Sequence, residues 1–156
     1  MRVTLALLLV AVASVNTSAS NGKPVDIGAE AKGANRVVVA VVTDVQSRFD
    51  VNEFGDRLII SQAWARVDET MKGSYAPIVA VDVEGGTIGD LALHVSDMPE
   101  LRPGDRAVFF LDATPSGTHK PHGRGAGVFK LDANDRVPDS DLTLGEIRAQ
   151  VRAALR

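Results

Sequence analysis

Most apolar residues of the chain fall into patterns that are typical of β-strands. Residues 36–45 form a nearly unbroken apolar run rich in β-branched residues, which predicts a strand buried on both faces or lining a barrel. Arg106–Leu111 has the same character. Residues 78–84 alternate apolar and polar positions, as a half-buried strand does. Two shorter strands are predicted over Leu91–Val95 and Val128–Leu131.

A further long strand is predicted over Leu58–Met71, where side chains alternate between two faces. The inward face consists of small and apolar residues, namely Ile59, Ser61, Ala63, Ala65 and Val67. The outward face carries Ile60, Gln62, Trp64, Arg66 and Asp68. A helix over residues 61–71 is the alternative, since Ala, Gln and Glu favour helices.

Three segments have the composition of connections. Residues 20–35 contain three glycines and a proline, and we expect a flexible segment there. Residues 46–57 are mostly polar and predict a turn or a hairpin tip. Residues 114–127 hold four glycines and two prolines, which predicts a loop whose glycines provide flexibility.

The C-terminus changes to a helical period and predicts a helix over residues 142–155. Thr143 and Glu146 have the spacing of a capping box, and Leu144, Ile147 and Val151 recur at helical intervals. Five or six strands followed by one helix indicate a mainly β domain over residues 36–137, with the helix packed on or beside it. We predict a small OB-like antiparallel barrel; a small β-sandwich is the alternative.

The N-terminus has the layout of a secretory signal peptide. Arg2 precedes the apolar run Val3–Ala13, which is too short to span a bilayer. Small residues then offer cleavage sites after Ala13 and after Ala19, and the second leaves a signal of more usual length. We therefore expect residues 1–19 to be removed and the mature protein to be periplasmic or secreted, without a stable membrane span.

Composition narrows the classes of function. The 156 residues include no cysteine, which removes thiolate metal sites, cysteine nucleophiles and disulfides. Aromatic residues make up 4%, too few for a platform that stacks single-stranded nucleic acid. The formal net charge of −3 becomes −4 once Arg2 is removed with the leader. An acidic protein without a basic stripe is not expected to bind nucleic acid.

Two histidines form the most conspicuous candidate for metal chemistry. His119 and His122 lie three residues apart in the predicted glycine-rich loop, and Asp112 is a possible third ligand. The alternative is a loop with solvated histidines, because no third ligand stands at a recognisable spacing.

A second candidate surface lies on the outward face of the long strand. Trp64, together with Ile60 and Arg66, forms a possible patch for a partner, since Trp and Arg are favoured anchors at interfaces. The alternative is that Trp64 packs under the C-terminal helix, because burial of its large apolar surface is favourable.

Several landmarks occur together in an order that carries a resemblance. They are VVVAVVTDV over residues 37–45, VDETMKG over 67–73, Gly85-Gly86-x-x-Gly89, Val95-x-x-x-Pro99, and Pro103-Gly-Asp-x-x-x-Phe-Phe-Leu111. This order resembles a group of uncharacterised exported bacterial β-barrel proteins. More remotely, it is similar to the OB-type domains of netrin-like proteins and tissue inhibitors of metalloproteinases. The resemblance implies a barrel that binds a protein partner, with a secreted protease as one kind of partner. Those inhibitors act through an N-terminal cysteine that this chain lacks, so no inhibitory residue is carried over.

The sequence therefore predicts a non-enzymatic, extracytoplasmic module that binds a protein or peptide. No Gly-x-Ser-x-Gly motif occurs, and no catalytic residues or cofactor are predicted. The alternatives are a metal-binding protein or hydrolase centred on His119 and His122, or a structural component of the envelope. The sequence makes no prediction of the oligomeric state.

Overall fold

A mixed six-stranded sheet forms the body of the molecule in the computed structural model, which describes residues 25–52 and 54–156. The strands of this sheet are β1 (Arg36–Val51), β2 (Arg57–Lys72), β3 (Ile78–Glu84), β6 (Arg106–Ala113), β7 (His119–Pro121) and β8 (Val128–Leu131). Their order is β1-β2-β3-β7-β6-β8, and β6 also pairs with β1, so the sheet curls into a ring. A separate hairpin comprises β4 (Gly86–Ile88) and β5 (Leu91–Leu93).

The ring of β1, β2, β3, β7 and β6 is an OB-like barrel, and the predicted fold class is confirmed. Four of the five strand pairings in this ring are antiparallel. The fifth, between β3 and β7, is parallel and consists of the single pair Val81 and His119. The sheet is therefore mixed rather than wholly antiparallel. Because a single pair joins β3 to β7, the barrel is partly open along this seam.

Two apolar clusters lie on opposite sides of β1. Val38, Ala40 and Val42 point into the barrel, where they pack with small and β-branched residues of β2 and β3 and with Phe109. Val37 and Val39 point outward, into a second cluster covered by helices. Both clusters are fully buried along this stretch, which confirms that the apolar run of β1 is buried on both faces.

The prediction of a flexible segment over residues 20–35 is wrong for the part that the structure describes. Helix α1 (Ile27–Gly33) begins after Asp26, whose carboxylate accepts a hydrogen bond from Ala29 N at 3.0 Å. Ile27 and Ala31, four residues apart, bury their side chains in the outer cluster. This burial fixes the segment despite its glycines.

The C-terminal end of α1 is stabilised by a lysine from β2. The Lys72 ammonium donates hydrogen bonds to the backbone carbonyls of Ala31, Lys32 and Ala34, at 2.8, 3.0 and 2.6 Å. These carbonyls have no partner within the helix, and a cation also interacts favourably with the negative end of the helix dipole.

Helix α2 (Leu144–Ala154) matches the predicted C-terminal helix. Thr143 and Glu146 form the expected capping box, and Leu144, Ile147 and Val151 are buried in the outer cluster. Both helices therefore cover the outer side of β1 and β6. No helix within the described ranges is long and apolar enough to cross a membrane.

Two predicted connections contain more regular structure than expected. The sequence predicts a polar turn or a hairpin tip over residues 46–57. The structure has a hairpin tip, but a shorter one, because β1 continues to Val51 and β2 begins at Arg57. Within the predicted loop of residues 114–127, the structure has β7 and a 3-10 turn over Arg124–Gly127.

Candidate functional site

A groove of about 640 Å³ lies on the outer surface of the barrel, over the seam between β3 and β7. Ile60 and Pro121 are buried in its lining, and Met98 contributes from the segment after β5. Its charged lining residues are Arg48, Asp50, Asp82, Glu84, Asp112, Lys120 and Arg124. Ligand sites in proteins combine apolar lining with polar groups that orient the ligand, and this groove has both kinds of lining residue.

Asp82 holds one wall of the groove together. Its carboxylate accepts hydrogen bonds from Gln62 Nε2 at 2.9 Å and from Thr118 Oγ1 at 2.8 Å. The Arg48 guanidinium lies 3.4 Å away on β1. Asp82 thus joins three strands to the loop between β6 and β7, and it compensates for the sparse backbone pairing along the seam.

Arg124 closes the opposite wall. Its guanidinium donates to Glu84 Oε2 at 2.8 Å and also binds the carboxylate of Asp97. Hydrogen bonds to Asp97 and Glu84 raise the pKa of Arg124 above its already high ordinary value, while the same bond from Arg124 lowers the pKa of Asp97. Arg124 therefore ties the 3-10 turn to β3 across the seam.

The hairpin formed by β1 and β2 extends beyond the rest of the barrel. Pairing of β2 with β3 ends at Ile60, so the residues nearer the turn pair only within the hairpin. Three apolar side chains are exposed there: Phe49 at 48%, Val51 at 59% and Phe54 at 73%. We call Phe49, Val51 and Phe54 the apolar tip.

Hydrogen bonds accepted by the Asn52 side chain preform the turn of the apolar tip. Asn52 Oδ1 accepts from the backbone N–H groups of Phe54 and Asp56, at 3.0 and 2.9 Å. Its side-chain amide donates to Glu84 at 3.3 Å, which connects the tip to the groove. The Arg57 guanidinium lies 5.4 Å from the centre of the Phe49 ring, a cation–π contact.

The predicted patch of Ile60, Trp64 and Arg66 lies on the outer face of β2, as the alternation required, but it is not one compact surface. Ile60 is 8% exposed and belongs to the base of the groove. Trp64 is half-buried beside Ala80 of β3, and Arg66 is exposed and paired with Asp68 at 2.7 Å. Trp64 belongs to neither buried cluster, so it does not pack under α2 as the alternative required.

The two histidines proposed as metal ligands are not brought together. His119 lies in β7 with its side chain on the side of Val81, whereas His122 binds Asp112 through Nδ1 at 2.9 Å, on the opposite side of the sheet. Among residues 25–52 and 54–156, no group of three or more His, Asp or Glu side chains is arranged to hold a metal ion.

His122 and Asp112 nevertheless form a pair of chemical interest. A carboxylate that orients an imidazole is the means by which many hydrolases position a general base. Here the free Nε2 faces α1, because a Cβ added at Gly33 would lie only 2.3 Å from it. The helix backbone therefore occupies the space from which a substrate would approach this atom.

His119 is expected to make the stability of the fold depend on pH in the mildly acidic range. Burial, together with the charge of Arg36, lowers the pKa of His119, and its Nδ1 is buried without a hydrogen-bond partner. The unfolded chain therefore binds a proton at the ordinary pKa of about 6.5, before the folded protein does. We expect the free energy of unfolding to fall as the pH decreases from 7 to 5, and urea unfolding at several pH values measures this.

The matched variants are His119→Gln and His94→Gln. The first removes the buried imidazole and should flatten the decrease between pH 7 and 5. His94→Gln makes the same chemical change at an exposed position and serves as its control. Equal slopes in the wild type and in His119→Gln would contradict the assignment.

The fold and the groove together define a class of protein: a small OB-like barrel with a charged surface groove and a protruding apolar hairpin. No protein-family model matches the chain, and no curated protein is significantly similar to it in sequence.

The sequence did not single out the apolar tip or Arg124. Phe49, Val51 and Phe54 stand in a mostly polar stretch. Their apolar character within a predicted turn is the feature from which the tip could have been found. The contacts of Arg124 with Glu84 and Asp97 carried no signal, because they span 40 and 27 residues of chain.

Proposed function

We propose that this protein is an exported, non-enzymatic module that binds a protein or peptide through the apolar tip and the adjacent groove. The observation that carries the proposal is the exposure of Phe49, Val51 and Phe54 on one protruding hairpin. Clustered exposed apolar side chains are uncommon on monomeric proteins and mark interaction sites.

The order of the tip also supports this function. Asn52 fixes the turn in the free protein, so a partner would not have to order it, and less conformational entropy would be lost on binding. Aromatic side chains are favoured anchors of interfaces, and Phe54 is the most exposed of the three. The ion pairs that line the groove would form the polar rim around this anchor.

Site-specific photo-crosslinking tests the proposal. Phe54 and Tyr75 are 73% and 75% exposed but lie at different turns, which makes them a matched pair of positions for p-benzoylphenylalanine. In extracytoplasmic fractions of the producing cells, we expect a discrete adduct from position 54 and none from position 75. Unlabelled wild-type protein should compete for this adduct.

The specificity of the adduct depends on the tip itself. Unlabelled Phe54→Ser should compete about tenfold less well, or worse, because the aromatic anchor is lost. Equal adducts from both positions, or equal competition by Phe54→Ser, would rule out the tip as the binding surface.

The identity of the partner is a separate part of the proposal. The resemblance to inhibitors of metalloproteinases makes a secreted protease the first class to assay, by inhibition of peptide hydrolysis. The leader on which export rests falls within residues 1–24, outside the described residues. Fractionation of the producing cells, together with N-terminal sequencing of the mature protein, tests the export and the cleavage after Ala19.

A further inference from the structure

One end of the barrel carries a second, partly open cavity, of about 350 Å³, which none of the three apolar-tip residues lines. The hairpin of β4 and β5 and the residues that follow it cover this end. Its lining is mixed. The apolar side chains include Val45, Val83, Leu93, Val95, Met98 and Leu101, and the polar ones are Ser47, Ser61, Glu84, Thr87, His94 and Glu100. Mouths of β-barrels are frequent sites for small ligands, and the volume is within the usual range.

Two serine hydroxyls provide the polar anchor of this cavity. Ser61 Oγ donates a hydrogen bond to the carbonyl of Gly85 at 2.7 Å. Ser47 Oγ lies 2.9 Å from Ser61 Oγ. A carbonyl only accepts hydrogen bonds, so the single proton of Ser61 is committed to Gly85, and Ser47 must donate its own proton to Ser61.

The direction of these bonds determines what the cavity recognises. Both hydroxyl protons are used within the protein, so Ser47 can offer a ligand only its lone pairs. A hydroxyl or N–H group satisfies that requirement, whereas an ether or a carbonyl does not.

Gly86 holds the arrangement in place from the covering hairpin. Its φ of 136° is in the region that favours glycine, and a Cβ there would lie 2.2 Å from Ser61 Oγ and 2.6 Å from Ser47 Oγ. The backbone of β4 is thus packed directly against the serine pair.

We propose that this cavity binds a small hydrophobic molecule that carries one hydrogen-bond donor, such as a phenol or an aliphatic alcohol. At about 30 Å³ for each water-sized group, the volume suits a molecule with on the order of ten non-hydrogen atoms. Its apolar part would lie among the valine and leucine side chains, with the donor on Ser47.

Fluorescence titration with 1-naphthol and 1-methoxynaphthalene tests the proposal on the purified protein. The two probes share a ring system, but only the naphthol donates a hydrogen bond. We expect saturable binding of one naphthol per chain and roughly three- to tenfold weaker binding of the ether, the effect of one net hydrogen bond.

Variants separate the donor effect from differences in size. Ser47→Ala should abolish the preference for the naphthol while the ether still binds, and the matched Ser116→Ala, which lines the groove instead, should change neither affinity. Val45→Trp should fill the cavity and abolish the binding of both probes, because Val45 lines the cavity and packs against the inner cluster. Phe54→Ser should leave both affinities unchanged, which distinguishes this site from the apolar tip.

Three results would overturn the proposal: no saturable binding of either probe, equal affinities of the wild type for both, or a preference that persists in Ser47→Ala. Circular dichroism of each variant verifies that it is folded, so a loss of binding in a folded Val45→Trp reports on the cavity itself.

Discussion

Phe110→Ala is expected to lower the free energy of unfolding by about 3–5 kcal/mol, the usual cost of removing a fully buried phenylalanine. Phe110 is 0% exposed and lies in the outer cluster, between the barrel and the two helices. Its ring meets that of Phe129 edge to face, with centroids 5.6 Å apart. The substitution removes this contact and leaves a cavity that the backbone of β6, paired on both sides, cannot close.

Urea unfolding monitored by circular dichroism measures the loss. Phe54→Ala is the matched control: the same side chain is removed from the exposed tip, and stability should change by less than about 0.5 kcal/mol. Similar losses in both variants would mean that Phe110 does not join the helices to the barrel as described.

Gly127→Ala should be destabilising by about 3 kcal/mol or more. A Cβ at this position would lie 2.2 Å from the carbonyl oxygen of His122 and 2.9 Å from that of Phe110. Both atoms belong to the backbone, and His122 N donates to the Phe110 carbonyl at 2.8 Å, so neither can move without breaking this hydrogen bond. The cost combines overpacking with the loss of a buried hydrogen bond.

Gly145→Ala is the control, because it makes the same chemical change but should raise rather than lower the free energy of unfolding. Gly145 lies in the first turn of α2, where the nearest atom to an added Cβ is Thr143 Oγ1 at 3.8 Å. Alanine there should stabilise the protein by about 0.5–1 kcal/mol through helix propensity. The same denaturation experiment measures both variants, and a tolerated Gly127→Ala would contradict the close packing of the 3-10 turn.

The glycines of residues 123–127 illustrate a limit of inference from composition. Their density predicted a flexible loop, yet Gly125 and Gly127 stand where a side chain would collide with backbone. Flexibility and close approach both favour glycine, and only the three-dimensional contacts distinguish them. Those contacts, with Asp97 and His122, depend on how the barrel closes.

The strands were predictable because their patterns are local. The alternation along β2 placed Ile60, Trp64 and Arg66 on the outer face, and the unbroken apolar run of β1 indicated burial on both sides. Helix α1 left a weaker signal, consisting of Asp26 as a cap and the apolar pair Ile27 and Ala31. The capping of its far end by Lys72 was not predictable, because the two partners are about 40 residues apart.

The groove was beyond sequence reasoning for a related reason. Its walls come from β1, β3 and the segment around β7, and the parallel contact of Val81 with His119 brings them together. When two strands pair at a single residue position, the sequence of neither strand carries a pattern that reveals the pairing. The apolar residues of the tip could be located from the sequence, but not the position of Val51 in the lining of the groove.

The sharing of β1 between two apolar clusters has a consequence for how the protein unfolds. Val37 and Val39 contact the helices, and Val38, Ala40 and Val42 fill the barrel, so a shift of one residue in register would exchange the two linings over this stretch. Because both clusters depend on β1, neither the inner nor the outer cluster keeps its apolar contacts when the other is lost. Helices and barrel should therefore melt together in a single cooperative transition, without a stable subdomain that persists alone.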